Sequence, residues 1–197
     1  MCTLTWIGGP EGYELFFNRD ELLTRGPETA PTLAEARGVR FIAPRDADGG
    51  GTWIAANEYG LTLCLLNGYQ PSRGTACTRM LSRGALVLAL VDASEERDIG
   101  RRFAQMDLAP FRPFSLLVVG PQGAGQELAW DGLERARRPG AQMRLPIASS
   151  SVDQEAAQAF RRAELETCIA RENGLSPAVL ERFHKSHPGG PGALTPC

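Results

Sequence analysis

Three stretches of this chain repeat one local pattern: a short apolar or alternating run, a cluster of turn residues, then a second short run. Residues 2–7 (CTLTWI) alternate, with Cys2, Leu4 and Trp6 on one face and Thr3, Thr5 and Ile7 on the other, the period of a β-strand. Gly8-Gly9-Pro10-Glu11-Gly12 turns the chain into an aromatic-rich run, Tyr13–Phe17. The pattern returns as Thr52–Ala56 and Leu61–Leu66 around Asn57-Glu58-Tyr59-Gly60, introduced by Gly49-Gly50-Gly51. It returns again as Ser115–Val119 and Glu127–Trp130 around a loop of Gly, Pro, Gln and Ala. Strands joined by such short connections pair antiparallel. Residues 24–50 are rich in Pro, Gly and charge and are expected to form a long surface excursion.

Helical signals lie between and after the hairpins. Ser82 is the expected N-cap of a helix through Val91, and Ser94 of another to about Met106. Ser151 and Gln154 fit a capping box. Val152, Ala156, Phe160, Ala163 and Thr167 keep helical spacing until Asn173-Gly174 supplies a stop. Ser176-Pro177 opens a last helix to about His184, and a Gly/Pro tail follows from His187. Hairpins in series with helical pairs, without strict βαβ alternation, predict an α+β layered domain with mainly antiparallel sheet. The 197 residues fit one domain, 1–197, with no linker or fixed-period repeat.

Composition excludes several functions. Lys+Arg total 21 against 23 Asp+Glu, a net charge of −2, so no basic excess exists for a phosphate backbone and nucleic-acid binding is not expected. No apolar run approaches the roughly 20 residues that span a bilayer, so no membrane span is expected. The N-terminus lacks a basic segment followed by a long apolar one, which makes a cytoplasmic location the expectation. Lys185 is the only lysine, so nearly all positive charge is arginine.

The five cysteines are Cys2, Cys64, Cys77, Cys168 and Cys197. Their odd number, wide spacing and lack of any C-x-x-C argue against a disulfide framework and a structural zinc site. Cys64, in an apolar run, and Cys168, on a helix face, read as small hydrophobes. The glycine-rich stretches lack the patterns of phosphate-binding loops and read as turns. His184 and His187 form H-x-x-H on a Gly/Pro-flanked tail with no partner ligand nearby, and no metal or other cofactor is expected. The Arg/Glu mixture at 161–172 reads as the solvated face of a helix.

Cys2 is the residue with chemical consequences. Removal of Met1 leaves a thiol and a free α-amine on one residue, and the amine can serve as base for its own nucleophile. The plain alternative is a buried strand residue whose amine does nothing. Asn18-Arg19-Asp20-Glu21 follows the apolar end of the second strand, and the hairpin carries it back beside Cys2. It is either a solvated turn or a charged neighbour, in which Arg19 lowers the thiol pKa and Asp20 orients the amine. Asn67 ends an apolar strand before Gly68, as an Asn-Gly turn or as an amide donor to a developing oxyanion.

Together these residues resemble a family. Met-Cys-Thr at the start, Asn18-Arg19-Asp20-Glu21, Gly50-Gly51-Thr52-Trp53, Leu66-Asn67 and Ser82-Arg83-Gly84 occur in the order of the NRDE family, also called the transport and Golgi organisation 2 family. The wider resemblance is to cysteine N-terminal-nucleophile hydrolases such as penicillin V acylases and bile salt hydrolases. It implies a four-layer αββα sandwich and hydrolysis of a linear, non-peptide amide without a cofactor. Cys2, Arg19, Asp20 and Asn67 would be catalytic, and Asn18, Glu21 and Ser149 would bind substrate or its oxyanion. The partner implied is a small-molecule amide or a hydrophobic ligand; no oligomeric state is implied. The same resemblance carries a rival reading, a non-catalytic binding or trafficking protein for haem or lipid. In two places the chain departs from the pattern. Ala148-Ser149-Ser150 stands where the acylases have Thr-Asn-Ser. The chain also stops at Thr195-Pro196-Cys197, so the family's C-terminal strands and a further catalytic arginine are expected to be missing.

Overall fold

Both faces of the central strands are apolar, and each face packs into a different core. In β6 (Thr62–Asn67), Leu63 and Leu65 join one cluster while Cys64 and Leu66 join another. In β7 (Phe114–Val119), Leu116 and Val118 divide from Leu117 and Val119 in the same way. A strand buried on both sides needs a layer on each, and the fold supplies them. The computed structural model describes residues 2–20, 26, 28–69 and 80–186.

A seven-stranded antiparallel sheet runs in the order β3 (Thr32–Ala36), β4 (Val39–Ala43), β5 (Ile54–Asn57), β6, β7, β8 (Gly125–Trp130), β9 (Arg135–Pro139). A three-stranded sheet, β10 (Ile147–Ser149), β1 (Cys2–Gly9), β2 (Gly12–Asn18), stacks on it. Cys2, Leu4 and Trp6 of β1 pack against Cys64, Leu66, Leu117 and Val119 to fill the space between the sheets. Side-chain hydrogen bonds from β1 and β2 tie the sheets together. Trp6 Nε1 donates to the Gly123 carbonyl at 3.0 Å, and the Tyr13 hydroxyl donates to Thr62 Oγ1 at 2.6 Å. Helices α1 (Gly84–Leu90) and α2 (Glu96–Gln105) cover the outside of the large sheet through Leu86, Leu90, Ile99 and Phe103. Helices α3 (Gln154–Arg171) and α4 (Pro177–Lys185) cover the small one, with Leu165, Leu180 and Phe183 against Ile7 and Phe16. The four layers are helix, sheet, sheet, helix, as the resemblance implied. Among the described residues no helix is long and apolar enough to cross a membrane.

Several local expectations change. The stretch 24–50 is not an excursion throughout, because it holds the β3–β4 hairpin at the edge of the large sheet. Arg37 (φ 49°) and Gly38 (φ 82°) make its turn, and two successive positive φ angles suit the twist of a hairpin. Strand β9 has no hydrophobic alternation because it is an exposed edge, where Arg and a terminal Pro are tolerated. Asn57 belongs to β5 rather than to the following turn. Its Nδ2 donates to the carbonyls of Val91 (2.8 Å) and Ala93 (2.7 Å), tying the hairpin to the end of α1. Neither Ser82 nor Ser94 caps a helix: α1 and α2 begin after Arg83 and Glu95, with no side-chain cap bond. Asp153, not Ser151, caps α3 by accepting from the Ala156 amide at 2.9 Å.

Strand β10 is only three residues long, and its outer edge is completed by α3. Gln158 Oε1 accepts from the Ala148 amide at 2.9 Å, and Gln154 Nε2 donates to the Ala148 carbonyl at 2.7 Å. Two glutamines one turn apart thus replace the missing neighbouring strand, which satisfies backbone groups that would otherwise be stranded. His187 lies outside the described residues. His184, of the H-x-x-H pair, is buried between α4 and the small sheet.

Candidate active site at the head of β1

The β1–β2 register pairs Thr3 with Asn18, so residues 19 and 20 run past Cys2 as the sequence predicted. On the other side Cys2 pairs with Ser149 of β10. Cys2 is 6% exposed and stands at the end of the core between the two sheets. Burial pushes its thiol above the usual cysteine range. A hydrogen bond from the Asp20 backbone amide works against that rise, the Asp20 carboxylate adds to it, and the Ser149 hydroxyl opposes it. Ser149 Oγ is buried, on a residue 5% exposed, and besides the thiol it has no hydrogen-bond partner among the described residues. It is a donor beside a sulfur.

Cys2, Arg19 and Asn67 line one cavity of about 250 Å³. Arg19 is fixed there by its surroundings. Its guanidinium lies 4.1 Å from the Trp53 ring centre, 3.3 Å from Asp46 Oδ2 and 3.6 Å from Glu28. Asp46 is itself held by its own loop, with Oδ1 accepting from the amides of Asp48 (3.1 Å) and Gly49 (3.0 Å).

Two motifs with no assigned role build the cavity wall. A Cβ on Gly51 would stand 2.5 Å from the Gly84 carbonyl carbon, and one on Gly84 would stand 2.8 Å from the Thr52 amide nitrogen. Only hydrogen at both positions permits this approach, in which the Thr52 amide donates to the Gly84 carbonyl at 3.3 Å. The contact brings Gly50-Gly51-Thr52-Trp53 and Ser82-Arg83-Gly84 to one rim. Arg83 Nη1 then donates to the carbonyls of Pro113 (3.0 Å) and Gly68 (3.3 Å). Gly68 is likewise pressed on Pro113, where a Cβ would meet the Pro113 carbonyl carbon at 2.8 Å. Asn67-Gly68 is therefore a close-packing site rather than a left-handed turn.

Asn67 also borders a second, larger cleft of about 450 Å³, shared with Ser149 and walled by Phe114, Trp130 and Ile147. Its Nδ2 lies 3.4 Å from the Tyr69 hydroxyl. Asn67 thus lines both hollows, Cys2 the smaller and Ser149 the larger. Asn18 is turned away from them. Its Nδ2 donates to the His184 carbonyl at 2.8 Å, and its Oδ1 lies 2.5 Å from His184 Nδ1. Glu21 lies outside the described residues. Asp46, Trp53 and Arg112 were missed by the sequence reading; the run Asp46-Ala47-Asp48 before three glycines was the available signal, a loop folded around an aspartate. Among the described residues no group of three or more His, Cys, Asp or Glu side chains could hold a metal ion.

The four-layer sandwich is an N-terminal-nucleophile-hydrolase-like fold. The solved structure of penicillin V acylase from Agrobacterium tumefaciens matches over 91% of this chain, with a TM-score of 0.51 and 15% identity. The match spans 59% of the acylase chain, and at that identity it shows the fold alone. Residues 1–152 match the family model described as Transport and Golgi organisation 2, and the chain belongs to that family. No curated protein sequence matches it.

Proposed function

We propose that the protein is an N-terminal cysteine hydrolase of linear, non-peptide amides. What supports this reading is that Asn67 lines both hollows, one of them lined by Cys2 and the other by Ser149, which stands opposite Cys2 across the β1–β10 pair. The mechanism requires removal of Met1, which frees the Cys2 α-amine. That amine takes the Sγ proton as sulfur attacks the amide carbonyl, and the carbonyl electron pair moves onto oxygen. Asn67 Nδ2 and Ser149 Oγ donate to the oxyanion. Collapse breaks the C–N bond, and the leaving amine takes the proton from the α-ammonium, leaving a thioester on Cys2. Water then attacks the thioester, giving its proton back through the α-amine to sulfur and releasing the acid.

A thiol raised by burial is a poor nucleophile until its proton is taken, so a base on the same residue is what this site needs. Arg19, fixed by Asp46 and Trp53, orders the strand end that delivers the Asp20 amide to sulfur. The test is hydrolysis of a panel of acyl-amide substrates by protein whose Met1 loss has been verified by intact mass. Cys2→Ala abolishes turnover on this reading. Equal turnover by the variant, or a retained Met1 in an active preparation, overturns it.

A further inference from the structure

The last residue of β2 faces away from the candidate site, yet its side chain is bonded at both ends. Directly paired residues of an antiparallel ladder share a face, so Asn18 lies on the side of Thr3, and Phe16 on the side of Thr5. That side is the helix layer, opposite the inter-sheet core that holds Cys2, Leu4 and Trp6. There α4 meets the strand. Asn18 Nδ2 donates to the His184 carbonyl at 2.8 Å, and Oδ1 accepts from His184 Nδ1 at 2.5 Å. Burial and the neighbouring Arg161 of α3 keep the ring neutral, so Nδ1 carries its one N–H. The ring also stacks on Phe16, with centroids 5.7 Å apart, and its Nε2 lies 2.8 Å from Thr5 Oγ1. One imidazole thus binds β1 and β2 from behind.

The attachment falls where β2 has least support. Among the described residues β2 is an edge of the small sheet, with β1 as its one neighbouring strand, and Thr3–Asn18 is the last rung of that pairing. Alternation along an extended chain sends the next side chain, Arg19, to the opposite face, where it lines the cavity with Cys2. Asp20 follows, and its backbone amide donates to the Cys2 sulfur. An amide at position 18 supplies a donor and an acceptor side by side, whereas a carboxylate would set an oxygen against the His184 carbonyl. His184 itself lies on α4, beyond residues 1–152 that match the family model.

We infer that His184 is a positioning residue for Cys2: by clamping Asn18 behind the sheet, it fixes the end of β2 so that Arg19 turns into the cavity and the Asp20 amide meets the sulfur. The role rests on the reading that Cys2 is the reacting group, and it gives that site a support outside the cavity.

The test reads the thiol without any substrate. Cys2 alkylation by iodoacetamide is followed as a function of pH by mass spectrometry of the Cys2 peptide, with the same N-terminal state verified in every protein by intact mass. Asn18→Ala removes both bonds of the clamp. His184→Phe keeps the ring's packing and removes the Nδ1 donor, and Thr5→Val removes only the bond to β1. All three changes lie on the helix-layer face, so Cys2 keeps its burial between the sheets. At the sulfur the Asp20 amide outweighs the Asp20 carboxylate. The midpoint of alkylation is therefore expected to rise by about half a pH unit or more in Asn18→Ala, and by less in His184→Phe. Hydrogen exchange at the Asp20 amide should quicken about tenfold in Asn18→Ala. Thr5→Val is expected to lower the melting temperature with the midpoint unmoved. An unmoved midpoint in both Asn18→Ala and His184→Phe, or an equal rise in Thr5→Val, overturns the inference. Where Cys2 resists alkylation, an unchanged Asp20 exchange rate does so. A raised midpoint in a protein that hydrolyses no amide keeps the clamp and removes the hydrolase reading. Full turnover in Asn18→Ala with an unmoved midpoint removes the clamp and leaves the hydrolase reading.

Discussion

Cys2 and Ser149 stand directly opposite one another across the antiparallel β1–β10 pair, and the serine hydroxyl has no other partner among the described residues. A buried hydroxyl with nothing else to bond to is a cost in the resting protein and a donor once charge develops beside it. Ser149→Ala is therefore expected to leave stability unchanged or slightly raised. It should push the Cys2 thiol further above its ordinary range, and cut amide turnover by about a hundredfold through loss of an oxyanion donor. Thermal melts, the pH profile of Cys2 alkylation and kcat measured together check this. A large stability loss with an unchanged alkylation profile would show the hydroxyl to be structural.

The position of Ser149 depends on a side-chain substitute for a strand. Gln158 Oε1 accepts from the Ala148 amide, and its Nε2 donates to the Pro146 carbonyl at 2.6 Å. Gln158→Ala leaves both backbone groups without that partner, at a cost of about 1–3 kcal/mol. Urea unfolding should show that loss. Hydrogen exchange should show a faster Ala148 amide, with β6 and β7 unaffected.

The Gly51–Gly84 approach makes a sharper prediction. A methyl at Gly84 would lie 2.8 Å from the Thr52 nitrogen and 2.9 Å from the Thr52 oxygen, both backbone atoms with nowhere to move. Gly84→Ala is expected to cost about 2 kcal/mol or more, although alanine is the better helix former and Gly84 opens α1. Gly100, inside α2, is the control. Its nearest neighbour for an added Cβ is the Arg137 side chain at 3.7 Å, so Gly100→Ala should gain stability on propensity alone. The comparison of the two melting temperatures decides whether the motif glycines act by close packing.

The parts legible in the sequence were those whose physics is local. Cys2, Leu4 and Trp6 alternate with Thr3, Thr5 and Ile7 because β1 separates two cores, and the hairpin length alone brought Arg19 and Asp20 beside Cys2. Ser149 came only through the resemblance, since a three-residue strand carries no period of its own. Asp46 and Arg112 could not be placed from pattern, because their meaning lies in what the fold sets opposite them. Asn18 shows the reverse error: a polar residue beside the site was read as ligand-binding, whereas both ends of its amide are bonded to His184.

That histidine sets a pH limit on the fold. Asn18 Oδ1 can only accept, so Nδ1 of His184 carries the proton, and Nε2, 2.8 Å from Thr5 Oγ1, accepts from the hydroxyl. The ring is thus neutral. Burial holds its pKa down at about 4, and the nearby Arg161 adds to the effect. In the unfolded chain a histidine titrates near 6.5. Between about pH 6.5 and 4 the unfolded state therefore binds a proton that the folded state refuses, so stability is present above this window and is lost as pH falls through it. The loss from pH 7 to pH 5 is about 2 kcal/mol from this one group. Urea unfolding at the two pH values measures it. His184→Gln should start lower, having lost the ring's packing against Phe16 and Phe183, but should flatten the dependence over that interval. An equally steep fall in the variant would assign the acid sensitivity to other groups.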